Sequence, residues 1–134
     1  MRRHLLLFGL LSLALTGCGN TDSIIPGFDG TAWRRDARGC RGERARQLSI
    51  LDQHRGKLYG LRNGVVNELL GRPDEEELQE QTQRVFYYYV EPGSQCEPGR
   101  PRSAARRLVL RIGALGTVTE VLYTTAPPER KPGN

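Results

Sequence analysis

No apolar run in this chain is long enough to cross a bilayer. The longest, Leu5–Leu15, has eleven residues and is broken only by Gly9 and Ser12. As a helix it spans roughly 16 Å, about half the hydrocarbon core. With 37% hydrophobic residues and 26% charged ones, the composition excludes both a multi-span membrane protein and a fully disordered chain. Histidine is scarce: His4 lies in the leading segment, which leaves His54 as a surface helix residue rather than a base. No G-x-S-x-G, H-E-x-x-H, P-loop or dinucleotide fingerprint occurs. Asp74, Glu75, Glu76, Glu77 and Glu80 crowd one polar stretch and do not read as a glycosidase pair. They fit a solvated connection, with a cation site as the alternative. Nor does charge of one sign dominate. Arg2 and Arg3, at the very start, supply two of the net charge of +5, and the remainder is too mild to argue for nucleic acid. The expectation is a non-enzymatic chain of one small domain at most, with no cofactor, no metal and no nucleic-acid partner.

What is present begins with a basic Met1–His4 and the short apolar run, the n- and h-regions of a secretory signal. Leu15-Thr16-Gly17-Cys18 resembles the bacterial lipobox. The resemblance implies removal of residues 1–17 and lipidation of Cys18, with palmitate-type chains on its thiol and new amine. Small residues at Thr16 and Gly17 suit a narrow peptidase pocket. Three acyl chains anchor far more firmly than the single chain that gives only marginal binding. Gly19 follows, not the Asp that retains such proteins at the inner membrane, so the expected place is the outer membrane, facing the periplasm. The other reading is an ordinary signal peptide with a chance Cys.

Two thiols remain, Cys40 and Cys96. An even pair in an exported protein reads as one disulfide; two buried free thiols or a metal pair are the alternatives.

Residues 18–30 are rich in Gly, Asn, Thr, Asp and Ser and read as a flexible tether. Residues 126–134, with three prolines, read as a disordered tail. The folded domain is then 31–125. Cys40–Leu58 carries Ala45, Leu48, Leu51, Arg55 and Leu58 on one helical face, with Arg41, Glu43, Arg44, Arg46, Asp52 and Lys57 on the wet side. Arg62–Leu70 is a second helix, stopped by Gly71 and Pro73. Arg84–Val90 is an aromatic strand, Ala105–Ile112 and Thr117–Tyr123 are two more, and Gly113–Gly116 turns a hairpin between them. The fold class is therefore α+β, two N-terminal helices on one face of a three-stranded antiparallel sheet.

Gly60-Leu61-Arg62, then Val66, then Leu70-Gly71-Arg72-Pro73 resembles a pattern in small bacterial outer-membrane lipoproteins of the SmpA/OmlA (BamE-like) group. Gly116-Thr117-Val118 stands where that group often has Gly-Lys-Val. The resemblance covers about 57–122. Arg62 replaces the group's Thr, a good N-cap, so the helix start shifts to Asn63 or is capped poorly. The long Cys-containing loop before Arg100 is outside the pattern. The resemblance implies an αα-βββ fold and a role as a protein-binding module in envelope or outer-membrane protein assembly. An inhibitor or small-ligand-binding lipoprotein on the same fold is the alternative.

Alternation in the first strand separates Phe86, Tyr88 and Val90 from Val85, Tyr87 and Tyr89. We place Phe86, Tyr88 and Val90 with Leu108, Leu110 and Ile112 under the helices. Tyr87, Tyr89, Val109 and Arg111 then form a partly exposed partner-binding face, an aromatic and Arg composition typical of binding hot spots. The alternative covers them with the Glu91–Ala104 loop. The basic run Arg34, Arg35, Arg38, Arg41, Arg44 and Arg46 is either a solvated face or a contact for anionic head groups. Trp33 is a core residue or an interfacial anchor.

Overall fold

The computed structural model describes residues 24–125. Cys18, the leader 1–17 and the tail 126–134 lie outside the described residues, so the structure places neither the lipidation site nor the expected disorder. Three helices come first: α1 (Gly30–Arg35), α2 (Glu43–Gln53) and α3 (Asn63–Leu70). Four strands follow, β1 (Glu75–Leu78), β2 (Arg84–Tyr89), β3 (Arg107–Ile112) and β4 (Val118–Thr124). They form one antiparallel sheet in the order β1-β2-β3-β4. The class is α+β, but with three helices where two were expected and four strands where three were.

The helices pack on the expected side of the sheet. Phe86, Tyr88, Val90, Leu108, Leu110 and Ile112 share one core cluster with Trp33, Leu51, Leu58, Val66, Leu69 and Leu70. Trp33 is thus a core residue, tilted against Phe28 and Tyr88 at 5.5 and 6.5 Å. Val118 and Val121 are both in this cluster although three residues apart. A bulge reconciles them, because Arg111 faces Glu120 while Ile112 faces Val118, leaving Thr119 extra.

Two corrections and one expectation that holds concern local structure. First, the expected tether is not free throughout. Ile25 and Phe28 are buried in the core, each contributing about 1.5–3 kcal/mol by burial. Asp29 caps α1 by accepting from the Ala32 amide, and Gln47 clasps its backbone at 2.7 and 3.1 Å. Second, Cys40–Leu58 is not one helix. The backbone reaches positive φ at Arg38, Gly39 and Gly42 before α2, and a 3-10 turn, Arg55–Leu58, follows it. At Gly39 (φ +67) a Cβ would lie 2.7 Å from the Tyr89 carbonyl oxygen, so only glycine lets this turn meet the sheet. As expected from Arg62 in place of a capping Thr, α3 starts at Asn63 and Arg62 makes no side-chain cap. Gly71 closes α3 with φ +77.

The fourth strand, β1, occupies the stretch expected to be a solvated connection. Glu75, Glu76 and Glu77 are poor strand formers, but an edge strand tolerates charge, and charge there discourages pairing with another chain.

Candidate functional site

The face of the sheet away from the helices is the candidate site. A buried polar knot at one end of the sheet sets its geometry. Arg44, 2% exposed, pairs with Asp74, 5% exposed, at 2.5 Å. The same guanidinium donates to the carbonyls of Trp33 and Tyr89 at 3.2 and 3.0 Å. Asp74 also accepts from the backbone amides of Arg38 (2.9 Å) and Tyr89 (2.8 Å). Asp36 is fully buried and accepts from the amides of Arg41 and Arg44. It thereby supplies the anion that the uncapped N-terminus of α2 needs. Arg44 was expected on the wet side of the helix; its place is the core.

The segment from Glu91 to Arg106 crosses this end of the sheet as a strap. Cys40 and Cys96 are bonded, with Cα atoms 5.7 Å apart. Buried Gln95 donates to the carbonyls of Arg38 and Glu91 and accepts from Ser103. Arg38 reaches across to the carbonyls of Arg100 and Pro101 at 3.0 and 2.8 Å.

The register then assembles the face. Glu75 stands beside Tyr87 and Glu77 beside Val85; Tyr89 lies beside Arg107, and Tyr87 beside Val109. Leu122 and Glu120 of β4 face Val109 and Arg111. The Tyr87 hydroxyl donates to Glu77 at 2.9 Å, and the Tyr89 hydroxyl donates to Glu75 at 2.8 Å while accepting from the Ser103 amide. Arg102 pairs with Glu75 at 3.2 Å, and Arg111 with Glu120 at 2.5 Å. The guanidinium of Arg107 sits 5.0 Å from the Tyr87 ring centre and 5.5 Å from that of Tyr89.

All four residues assigned to the partner face are therefore on one side of the sheet. Their exposure differs from expectation for two of them. Tyr87 and Arg111 are half-buried, as expected, but Tyr89 is 0% and Val109 3% exposed. For Tyr89 the alternative reading holds, because the strap's Ser103 sits on its hydroxyl. Arg107, Glu75 and Glu77 belong to this face too and were missed. One signal was available: Val85–Val90 and Leu108–Leu110 run without polar interruption, the pattern of strands buried on both faces.

The basic run divides up. Arg44 is internal, Arg38 holds the strap, and Arg34 donates to the carbonyls of Glu68 and Leu69 at the end of α3. Arg46 pairs with Glu43. Half of the run is thus committed to the fold itself. A polar cleft of about 360 Å³ opens elsewhere, between α3 and the β1–β2 edge, lined by Asn63, Asn67, Arg72, Glu76 and Arg84 among others. Among the described residues no group of His, Cys, Asp and Glu is arranged to hold a metal ion, and no helix is long and apolar enough to cross a membrane.

Burial is the main cause that raises the tyrosine pKa values. It pushes Tyr87 up to about 12, helped by the hydrogen bond to Glu77 and its charge, against Arg107 and Arg111. Tyr88, Tyr89 and Tyr123 are raised as well, burial again first. The folded state holds these protons more tightly than the unfolded state, whose phenols titrate near 10. Their stabilising effect is whole below about pH 10 and is lost as pH climbs through their raised values, which for Tyr87 is about 12. Urea unfolding should give a flat midpoint around pH 9 and a falling one above 10; a midpoint that rises there contradicts this assignment.

No family model, no curated protein and no solved structure matches this chain.

Proposed function

We propose that this chain is a lipid-anchored, non-enzymatic lipoprotein of the outer membrane, facing the periplasm. Its domain binds another envelope protein, in the assembly of the envelope or of outer-membrane proteins, through the sheet face around Tyr87. The lipobox-like Leu15–Cys18 supports the anchor, the Cys40–Cys96 bond suits an oxidising compartment, and the likeness of residues 57–122 to the BamE-like pattern supports the assembly role. The observation that carries the binding reading is the build of the sheet. One face packs under the helices across β2, β3 and β4, while the other holds half-buried Tyr87, Arg111 and Leu122 with no α-helix over them among the described residues. Aromatic rings and guanidinium groups of that kind are enriched at binding hot spots.

The polar cleft beside α3 favours one second reading, a small-ligand or inhibitor module. Purification from solubilised envelopes separates the two. Co-purification with a barrel-assembly complex, lost in Tyr87→Ala at an unchanged melting temperature, supports the first. A soluble enzyme as the main partner supports the second. The anchor is tested independently: Cys18→Ser should abolish fatty-acid labelling and release a soluble or uncut form, whereas equal labelling of the variant contradicts it.

A further inference from the structure

We propose that Arg107 is the anchoring point for a carboxylate, presented by an acidic side chain on an extended segment of the partner protein; this rests on the binding role just given to the face. Arg107 is 0% exposed, and its Nε, Nη1 and Nη2 are all buried without a hydrogen-bond partner among the described residues. Its guanidinium lies beside the rings of Tyr87 and Tyr89. Rings attract the charge but accept no conventional hydrogen bond, so the guanidinium is desolvated without an acceptor.

The other buried charges are answered. Arg44 has Asp74 and two carbonyls, and Asp36 has two amides. Glu75 and Arg111, which also carry an atom without a hydrogen bond, face Arg102 and Glu120 in ion pairs. Arg107 is the exception, and it lies on the face that no α-helix covers among the described residues.

The chemistry of the missing acceptor follows from the surroundings. A guanidinium fork matches a carboxylate or a phosphate in two parallel bonds. Glu75, Glu77 and Glu120 flank the row that holds Arg107 and Arg111. Arg102 and Arg111 already neutralise Glu75 and Glu120, so the charge left to answer is the single one on Arg107, which a singly charged carboxylate matches and a doubly charged phosphate exceeds. Tyr87 is the gate. It is half-buried and held at its tip by Glu77, whereas Tyr89 is locked by both Glu75 and Ser103. Rotating Tyr87 would lift one of the two rings off the guanidinium and strand no buried polar group, because Glu77 is itself half-exposed.

The test uses the full chain in detergent and a capped seven-residue strand-forming peptide with one central glutamate. Twins carry glutamine or phosphoserine at that place. The Arg107 Nε–H resonance should shift saturably with the glutamate peptide, with at least tenfold weaker binding of both twins. Arg107→Met should erase the preference while the melting temperature holds or rises, since it removes a buried uncompensated charge. Equal binding of the glutamate and glutamine peptides overturns the proposal. So does preference for phosphoserine, or a fall of more than about 5 °C in Arg107→Met, which would mark a structural role. A photocrosslinker at Leu122 tells the two readings apart. If wild type and Arg107→Met capture the same envelope protein equally, the face binds a partner but Arg107 does not anchor it. If neither captures a protein, the binding reading itself fails.

Discussion

Asp74→Ala should lower the stability of the domain by about 3–5 kcal/mol. The substitution leaves Arg44, 2% exposed, as a buried cation without its counterion. It also strips the acceptor from the amides of Arg38 and Tyr89. Domains are stable by only about 5–15 kcal/mol, and each kcal/mol is worth roughly 4–8 °C at this size. A fall in melting temperature of about 15 °C or more is therefore expected. Arg44→Met added to Asp74→Leu should recover part of it, because replacing both partners of a buried pair costs far less than orphaning one. A loss below about 1 kcal/mol for Asp74→Ala would show that the pair is solvated and the knot open.

Cys40→Ser with Cys96→Ser is the second large effect. The bond joins residues 56 apart in sequence, and by chain entropy such a loop is worth roughly 4 kcal/mol. The strap from 91 to 106 loses its covalent tie at the same time, keeping Gln95, Arg38 and Ser103 as its hold. Denaturant unfolding with and without reductant measures the effect; identical midpoints contradict it. The two losses should not add, because Arg38 touches both Asp74 and the strap.

How much of this was legible in the sequence depends on distance along the chain. The inward set Phe86, Tyr88, Val90, Leu108, Leu110 and Ile112 followed from alternation, which is local. Thiol parity gave the disulfide without any geometry. The hairpin turn came from its glycines. Arg44 was misplaced because its burial depends on Asp74, thirty residues away, and nothing in the helical pattern marks that partner. The strand at Glu75–Leu78 was missed for a related reason. Three glutamates oppose strand formation locally, and tertiary contacts override them: the Tyr87 and Tyr89 hydroxyls donate to Glu77 and Glu75 from the neighbouring strand. Tyr89 was expected to be more exposed because a loop's path is not written in residue periodicity, and Val109 because its cross-strand neighbours Tyr87 and Leu122 are not either. The bulge at Thr119 shifted the phase of β4, which is why Val118 and Val121 defied simple alternation.

On the function proposed above, the face away from the helices meets a protein partner in the envelope. Site-specific photocrosslinking in intact cells tests it most directly, with the benzophenone side chain placed in turn at Leu122 on that face and at exposed Ser49 on α2. One discrete protein adduct is expected from Leu122, lost with Cys18→Ser, and none from Ser49. An adduct from Ser49 with none from Leu122 would contradict it and move the binding surface to the helices.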